Sequence, residues 1–343
     1  MLGLVFIYSA SNYSASLTYG DAFYYVKKQA IALAAGIVLM VVGMKIKTEI
    51  FIKLKWVVFA VSVVLLALVF VPGLGSSSYG ATRWVDLKFI TFQPSELSKF
   101  GFVIFLGAYM AEKPPVTIKN AIIPLLCGGI ICGLIMAEPN MSITVVVGLS
   151  LLVMLFVGGF NGKLMALLGC LVLAAGVLLV VLEPYRMDRL TAFLDPWKTP
   201  KDEGYQLIQS YYAISSGGLF GVGLFNSRQK YLFLPFAESD FIFSVIGEET
   251  GLFGCLAVMA IFFIYVFCGI KVAKKADSRY HTLLCIGITA VTALQAIINF
   301  AVVSGSIPPT GVPLPFVSSG GTSLMTFLFM TGILTNIARN HSK

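Results

Sequence analysis

Charged residues are scarce in this sequence of 343 residues. Asp, Glu, Lys and Arg make up 12% of it, whereas 58% of the residues are hydrophobic. An ordinary soluble domain has about 25% charged residues, so this chain lacks the polar surface that a fold in water needs. The scarcity excludes a soluble enzyme and indicates an integral membrane protein.

Histidine is rarer still, and cysteine is absent from polar stretches. The two histidines, His281 and His341, lie in or beside stretches rich in Lys and Arg. The sequence therefore supplies no histidine for a serine–histidine–aspartate triad or for a histidine metal cluster. All six cysteines lie inside apolar segments, where they are typical of small buried hydrophobes: Cys127, Cys132, Cys170, Cys255, Cys268 and Cys285. We therefore assign no metal ligands, and any catalysis must use carboxylates, hydroxyls, Lys or Arg.

Long apolar runs are abundant instead. A helix that spans a bilayer needs about 20 apolar residues, and the hydropathy pattern predicts segments at 1–11, 29–46, 56–72, 94–111, 119–136, 142–158, 164–182, 241–270, 282–304 and 320–337. The first is short and begins at Met1 within an apolar run, which predicts a truncated or late start, and no basic region precedes it as in a signal peptide. The expected architecture is an all-α polytopic bundle of ten transmembrane helices, the first truncated, in a single domain of residues 1–343.

Basic residues in the short loops predict the orientation of the chain. They lie after the second and eighth segments and around the loop between the fourth and fifth: Lys45, Lys47, Lys53, Lys55, Lys113, Lys119, Lys271, Lys274, Lys275 and Arg279. These loops should face the cytoplasm, and both termini with them. Residues 12–28, 73–93, 183–240 and 305–319 should then lie outside.

The predicted outer loop 183–240 is far longer than a connection between helices needs. Its many aromatic and aliphatic residues argue against disorder, and an interfacial helix is expected within 205–216. Against the positive-inside bias, the loop carries six cations: Arg186, Arg189, Lys198, Lys201, Arg228 and Lys230. An anionic partner outside the membrane would account for them.

Glycines and cations adjoin in the second half of this loop. Four glycines at 217–223 imitate a dinucleotide fingerprint, but no strand precedes them. They favour instead a bend of the backbone close to a ligand or a helix. Arg228 and Lys230 follow, and cations beside flexible backbone suit a phosphate or diphosphate.

Asp240 is the strongest candidate for catalysis. It stands where the eighth segment begins, between Ser239 and Phe241. One interpretation is a base that accepts a proton late in a reaction. The other is an N-cap, since Asp is a preferred cap residue and the helix dipole favours its charge. The two roles can coexist.

The first large outer loop runs into a helix with charges near its start. Glu96 and Lys99 share a helix face at i, i+3, either as an internal ion pair or as a binding site. Arg83 and Trp84 precede them, and an aromatic residue there also fits an interfacial anchor.

Two turns at the predicted outer surface could be either structural turns or binding sites. In AEPNMS at 137–142, a proline breaks the helix and brings Glu138 and Asn140 to one surface. A plain turn explains this segment as well as a site does. In the last outer loop, four prolines precede Ser319 and Gly320. Amides and hydroxyls at the start of the tenth helix could hold an anion there, and a rigid turn without a ligand fits as well.

Together these stretches resemble the SEDS family, the shape, elongation, division and sporulation proteins, and look closest to its FtsW and SpoVE branches. The resemblance covers nearly the whole chain in order and rests on YSAS at 8–11, GATRW at 80–84, QPSELSK at 93–99, FLDPW at 193–197, GYQ at 204–206, SGGLFGVGL at 216–224, SRQKY at 227–231, ESDFIF at 238–243, GEETGLFG at 247–254 and PPTGVPLPFVSSGG at 308–321. Two stretches depart from the family pattern. The usual QPDLGT reads EPNMSI at 138–143, and the usual proline and glutamate of the large loop read Leu234, Pro235 and Phe236, with Glu238 displaced.

The resemblance implies a ten-helix bundle in the bacterial cytoplasmic membrane. It implies polymerisation of lipid II, an undecaprenyl-diphosphate-linked disaccharide-peptide, into glycan strands for cell division or sporulation. The implied partners are a class B penicillin-binding protein, other divisome or elongation proteins and membrane lipids, and no nucleic acid.

The resemblance also maps the family's essential acidic residue onto Asp240. The predicted substrate-binding residues are Arg83, Trp84, Gln93, Glu96, Lys99, Arg189, Gln206, Arg228, Lys230, Ser319 and Gly320. The first five of these would line the central outward cavity.

The expected chemistry is glycosyl transfer with inversion. Asp240 would deprotonate the acceptor 4-hydroxyl, while Arg and Lys, with or without Mg²⁺ or Mn²⁺, stabilise the departing diphosphate. One rival function is a lipid II transporter or flippase, for which inverted repeats with broken helices would be expected, and none is visible. The other is a scaffold that recruits the penicillin-binding protein.

Overall fold

The computed structural model describes residues 1–78, 81–88, 91–181 and 183–340. Predictions at Gly80, Leu182 and His341 fall outside these residues. Within them most residues are helical and few are in strands, which confirms the all-α fold class. The helices are α1 (Leu2–Tyr19), α2 (Tyr24–Lys45), α3 (Ile50–Lys53), α4 (Lys55–Ala67), α5 (Pro94–Glu112), α6 (Ile118–Ala137), α7 (Met141–Val157), α8 (Gly162–Val181), α9 (Pro184–Leu194), α10 (Tyr205–Gly217), α11 (Ile242–Lys275), α12 (Arg279–Val303) and α13 (Gly321–Asn340).

Each of the predicted membrane segments contains a helix. By length and composition, five helices of the described chain can cross a membrane: Tyr24–Lys45, Ile118–Ala137, Ile242–Lys275, Arg279–Val303 and Gly321–Arg339. Shorter apolar helices occupy Lys55–Phe70, Met141–Val157 and Gly162–Leu178. The polytopic membrane character is therefore confirmed, whereas ten as the number of spans remains a prediction.

The first helix is longer than the sequence pattern predicts. α1 continues to Tyr19 instead of ending near residue 11, because a serine can satisfy its hydroxyl on the helix itself. Ser11 donates to the carbonyl of Ile7 at 2.7 Å. Gly20, at φ 70°, then ends α1 in the left-handed conformation. The predicted loop 12–28 shrinks to the few residues between α1 and α2.

Residues 73–93 hold a small antiparallel sheet that the sequence analysis did not predict. Its strands, in spatial order, are β1 (Gly75–Ser78), β2 (Ala81–Asp86) and β3 (Thr91–Phe92). Ser76 lies opposite Trp84, and Val85 lies opposite Phe92. β1 and β3 are short, and β2, with the sequence ATRWVD, does not alternate strictly between apolar and polar residues, so the sequence shows no strand pattern.

The predicted outer loop 183–240 is folded. The helix expected within 205–216 is present as α10, and α9 forms a second helix that was not predicted. A Cβ at Gly204 would lie 2.2 Å from the carbonyl oxygen of Pro196, so glycine allows α10 to begin directly against the preceding turn. The rings of Trp197 and Tyr212, 6.0 Å apart, pack the turn onto α10.

The chain divides into two compact units. The first comprises Met1–Ile31, Gly169–Ile264 and Gln295–Gly320. The second comprises Ala32–Leu168, Tyr265–Leu294 and the part from Gly321 onward. The assignment of residues 1–343 to one domain stays a prediction.

Each unit has its own apolar core. In the first, buried side chains of α1, α11, α12 and the last loop pack together: Ile7, Ala10, Phe241, Ile242, Val245, Ile246, Val302, Val303 and Leu314. In the second, α5 is central, with Phe100, Phe102 and Phe105 buried. Gly101 lets α4 approach α5, because a Cβ there would lie 2.2 Å from Oγ of Ser62.

Candidate functional site

Asp240, the predicted catalytic residue, lies in the first unit at the end of the large loop. It is half-buried, and α11 begins two residues later at Ile242, so the residue directly before the helix is Phe241. The main-chain carbonyl of Asp240 accepts a hydrogen bond from Nδ2 of Asn299 at 2.8 Å. The backbone of the predicted base is therefore held from α12.

Asn299 holds two segments at once. The same Nδ2 donates to the carbonyl of Val312 at 2.7 Å, and Asn299 is buried. A single amide thus joins residue 240 to the loop 304–320. Asn299 was not among the predicted site residues, although a polar side chain inside an apolar segment is itself a signal of function.

Gly311 of that loop lies against the Asp240 carboxylate. A Cβ on residue 311 would lie 2.9 Å from Oδ2 of Asp240, closer than real Cβ contacts. The absence of a side chain therefore allows the loop backbone to reach the acid.

Two serines fasten this loop to the residues just before α11. The hydroxyl of Ser318 donates to the carbonyl of Ser239 at 2.6 Å and accepts a bond from the amide of Leu314 at 2.7 Å. The amide of Ser319 donates to the carbonyl of Glu238 at 2.9 Å. The two residues directly before Asp240 are thus held by polar groups of this loop.

The amide of Gly320 is also engaged inside the protein. It donates to Oε1 of Gln29 at 3.0 Å, and Nε2 of Gln29 donates to the carbonyl of Ser318 at 3.1 Å. Because the amides of Ser319 and Gly320 both have acceptors, an anion at this turn would have to displace these bonds. Substrate binding by the two residues stays a prediction.

Two other predicted binding residues of the first unit also contact main-chain carbonyls. Nη1 of Arg189 donates to the carbonyl of Pro309 at 3.2 Å, which places a cation beside the proline-rich loop. Nε2 of Gln206 donates to the carbonyl of Pro235 at 3.2 Å. Gln206 thereby holds the end of the large loop to α10.

The structure distinguishes the two cations predicted to bind a diphosphate. Arg228 is exposed, and its amide donates to Oε1 of Glu248 at 2.9 Å. Lys230 is buried, and its ammonium group donates to the carbonyl of Phe225. Arg228 is therefore accessible to a ligand, whereas Lys230 stabilises the loop itself.

Glu248 and Glu249 of α11 anchor the same loop. Both are buried. Oε2 of Glu248 accepts bonds from the hydroxyl of Ser227 at 2.5 Å and the amide of Gln229 at 3.4 Å. Oε1 of Glu249 accepts the amide of Ser227 at 3.2 Å and the hydroxyl of Ser9. Buried carboxylates require such donors, and the sequence analysis had given these residues no role of their own.

Glu238 places a second carboxyl group close to Asp240 in the chain. Burial raises the pKa of Glu238 above its ordinary value, although a bond from its own amide opposes the change. Glu238 therefore keeps its proton to a higher pH than an exposed glutamate would.

In the second unit, Arg83 binds the AEPNMS turn. Its Nε donates to the carbonyl of Glu138 at 3.4 Å, and its Nη2 donates to the carbonyl of Pro139. Oδ1 of Asn140 accepts the amide of Ile143 at 3.3 Å and so caps α7. The segment is a capped helix junction held by an arginine.

Glu138 is the unusual group of this turn. It is 0% exposed, and neither carboxylate oxygen has a hydrogen-bond partner in the part of the chain that the structure describes. Burial raises the pKa of Glu138 to about 8, although the positive charge of Arg83 opposes the rise. The carboxyl group is therefore mostly neutral at pH 7.

A cavity of about 420 Å³ adjoins the turn, within the size range of small-ligand pockets. Its walls include Val69, Gly75, Thr82, Ala137 and Pro139. Arg83 and Trp84 follow Thr82 in β2, so the predicted binding residues of this loop lie on the strand that borders the cavity.

Glu96 and Lys99 form a buried ion pair on α5. Nζ of Lys99 lies 2.8 Å from both carboxylate oxygens of Glu96 and 4.8 Å from the ring centroid of Phe327, a cation–π contact. The ion-pair interpretation is confirmed, and a binding role stays a prediction. The amide of Gln93, before the helix, donates to Oγ1 of Thr322 at 3.3 Å.

The described acidic residues near Asp240 do not supply a full set of ligands for a bound metal ion. Among the described residues, no three His, Cys, Asp or Glu side chains form a group that could hold a metal ion. Divalent cations such as Mg²⁺ and Ca²⁺ prefer about six or more oxygen ligands, and Asp240 and Glu238 could supply only part of such a set.

The fold and the site together define a polytopic membrane protein in which an acidic residue, Asp240, is held by its backbone just before a long helix. A family model described as "Cell cycle protein", for FtsW, RodA and SpoVE, matches residues 1–343. The chain belongs to this family, and the resemblance drawn from its motifs is confirmed.

Curated relatives match almost the full chain. The probable peptidoglycan glycosyltransferase FtsW of Geobacter sp. (strain M18) is 37% identical over 98% of this chain and 92% of its own length. Stage V sporulation protein E of Bacillus subtilis (strain 168) is 36% identical over 98% of this chain and 93% of its own length.

Solved structures share the fold. A chain from a study of how a peptidoglycan synthase complex coordinates polymerization and crosslinking has a TM-score of 0.80 and 26% identity, covering 99% of this chain and 97% of that one. The rod shape determining protein RodA of Thermus thermophilus has a TM-score of 0.70 and 24% identity, covering 100% and 98%. The RodA similarity concerns the fold alone.

Proposed function

We propose that the chain is a peptidoglycan glycosyltransferase that polymerises lipid II into glycan strands at the outer face of the bacterial cytoplasmic membrane, for cell division or sporulation. Family membership and the activity named for its FtsW relatives support this function. The observation that carries it is the setting of Asp240, whose backbone is held by Asn299 and whose carboxylate meets the backbone of Gly311. Such fixed geometry is what a positioned base requires.

In the proposed reaction, the acceptor 4-hydroxyl attacks the sugar carbon that bears the lipid diphosphate. The new carbon–oxygen bond forms as the bond to the diphosphate breaks, so the configuration at carbon inverts. Asp240 takes the hydroxyl proton late, when the attacking oxygen becomes acidic. The diphosphate leaves with the electron pair, and we assign Arg189 and Arg228 to stabilise its charge.

The test uses the full-length chain in membranes with a class B penicillin-binding protein and labelled lipid II. Wild type should form glycan polymer, and Asp240→Asn should lower the rate by about 10²-fold to 10⁴-fold, because the amide cannot accept the proton. Asp202→Asn, at an exposed position of the same loop, is the matched control and should keep the wild-type rate. Apparent melting temperatures should agree among the three.

Several results would contradict the proposal. Polymer from folded Asp240→Asn at the wild-type rate would remove Asp240 from the mechanism. Lipid II movement across vesicles by wild type, without polymer, would favour the transporter. Recruitment of the penicillin-binding protein by a wild type that neither polymerises nor moves lipid II would favour the scaffold.

The partners and the topology belong to the same proposal. The similarity to a chain of a peptidoglycan synthase complex supports a class B penicillin-binding protein as the main partner. We place both termini in the cytoplasm because the basic short loops favour that side. Mg²⁺ or Mn²⁺ is an optional aid to the departing diphosphate, which a comparison of rates with and without chelator would test.

A further inference from the structure

The turn at residues 217–223, here the docked turn, lies against α11 at the point where this helix is interrupted. Gly251 has φ 66° and ψ −164°, a conformation that favours glycine. Four main-chain hydrogen bonds join the two segments: Val222 to Glu248 at 2.9 Å, Gly223 to Glu249 at 3.1 Å, Leu252 to Gly218 at 2.9 Å and Phe253 to Leu219 at 3.3 Å, each from amide to carbonyl. The interruption in α11 and the docked turn thus satisfy each other's backbone groups.

Glycines allow the close approach. A Cβ on Gly221 would lie 2.1 Å from the carbonyl oxygen of Glu249, and one on Gly217 would lie 2.0 Å from that of Gly247. Backbone therefore packs directly on backbone, and the docked turn cannot shift along α11 without breaking this fit.

The docked turn meets α11 at one end of its uncharged stretch. Residues 251–270 contain no charged side chain, whereas Glu249 precedes them and Lys271 follows them. Twenty residues of helix span about 30 Å, the thickness of the hydrocarbon core of a bilayer. The bonds to Leu252 and Phe253 therefore place the docked turn at the boundary of that core.

The outer side of the docked turn is apolar and continues the exposed surface of α11. Phe220 is 79% exposed, and its ring lies 5.3 Å from that of Phe253, which is 56% exposed. Exposed apolar side chains then continue along the helix: Leu256, Met259, Phe263 and Phe267. A helix that crosses the membrane presents such a face to acyl chains, and Phe220 lies on the same face.

The carboxylates of α11 next to the docked turn point into the protein and not towards the exposed apolar surface. The carboxylates of Glu248 and Glu249 accept bonds from amides and hydroxyls within the protein. Backbone polar groups at membrane depth are tolerated only when they are satisfied internally, and the main-chain bonds of the docked turn meet this condition.

We propose that the docked turn is embedded in the membrane, with Leu219 and Phe220 in contact with the upper acyl chains of the leaflet at the amino end of α11. The occupant of this surface is membrane lipid. The insertion fixes the depth of the loop segment that carries Arg228 and leads to Asp240, and it holds whether the chain is a transferase, a transporter or a scaffold.

The test is depth-dependent quenching of tryptophan fluorescence in the full-length chain, reconstituted in vesicles, with the emission of the parent subtracted. Phe220→Trp should emit at short wavelength, and lipid brominated near the headgroup end of its chains should quench it more than lipid brominated near the chain end. Lys201→Trp, between charged neighbours in the same loop, is the water-facing control and should be quenched by iodide instead.

Gly221→Ala in the Phe220→Trp background supplies a second comparison. The added methyl group would collide with the carbonyl of Glu249 at a φ of 80°, so the docked turn should detach and quenching by bromine should fall at least twofold. Iodide quenching of Phe220→Trp equal to that of Lys201→Trp would overturn the proposal. So would protection from both quenchers, which would mean that protein covers the surface. Neither result depends on glycan synthesis.

Discussion

Glu138 carries the clearest pH dependence at the scale of single residues. Its carboxyl group is buried at the end of α6, and the described part of the chain supplies no hydrogen-bond partner for it. Burial raises its pKa from 4.5 to about 8, so the folded protein binds this proton more tightly than the unfolded chain does. The resulting stabilisation is complete below pH 4.5 and is lost as pH rises towards 8.

Glu138→Gln should therefore remove a pH dependence of stability. The amide is neutral at every pH, so the apparent melting temperature of the variant should change less than that of wild type between pH 5 and 8. At pH 8 the variant should be the more stable, by on the order of 4 kcal/mol at most. Melting in detergent across this range is the measurement, with Glu203→Gln as the exposed control. Parallel curves for wild type and Glu138→Gln would mean that Glu138 is ionised throughout.

At the scale of elements, the contact between α11 and the large loop depends on two buried glutamates of α11, Glu248 and Glu249. Glu248 accepts bonds from Ser227, Arg228 and Gln229, and no Lys or Arg within the described ranges forms an ion pair with it in the structure. The charge is stabilised by main-chain amides and a hydroxyl. The position of Arg228, a proposed diphosphate-binding residue, is therefore set from α11.

Glu248→Gln keeps the shape of the side chain but replaces one acceptor oxygen with a donor. A charge-assisted hydrogen bond contributes about 1.5–3 kcal/mol, so the amides of Arg228 and Gln229, which Glu248 accepts, should exchange with deuterium about tenfold to a hundredfold faster. Because Arg228 is proposed to stabilise the departing diphosphate, kcat for glycan synthesis should also fall. Exchange and kinetics should be compared with those of Glu203→Gln. Unchanged protection of the amides of Arg228 and Gln229 would show that Glu248 does not anchor the loop.

At the scale of the whole molecule, charge distribution decides topology. The net charge of +8 is concentrated in the short loops that we place inside, while the large loop keeps cations that suit an anionic substrate. The helices supply apolar surface for lipid and for each unit's core, and their loops carry the polar groups of the site.

The topology makes a direct prediction. Green fluorescent protein fused after residue 343 should fluoresce, and alkaline phosphatase at that position should be inactive, because both would lie in the cytoplasm. Alkaline phosphatase inserted at Lys201 should be active, since the large loop is placed outside. Activity in the opposite pattern would reverse the orientation and remove the proposed site from the outer face.

Much of the fold follows from local sequence. A run of about 20 apolar residues has few alternatives to a helix in lipid, which is why each predicted segment contains a helix. The helix within 205–216 was also predicted correctly. The end of α1 and the small sheet at 73–93 were not, because serine hydroxyls bonded within a helix and strands whose residues do not alternate leave no periodic signal.

The sequence by itself determined that this chain is a membrane protein, which family it resembles and which acidic residue to examine. Only the tertiary structure decided what holds that residue. Asn299, Gly311 and Ser318 lie 59 to 78 positions after Asp240 in the chain. The side-chain amide of Asn299 binds the carbonyl of Asp240, and the hydroxyl of Ser318 binds the carbonyl of the preceding Ser239. Gly311 has no side chain to keep its backbone away from the Asp240 carboxylate. Hydropathy records the preference of each segment for lipid, whereas these contacts arise from the packing of segments distant in sequence, where a buried polar group must find its partner.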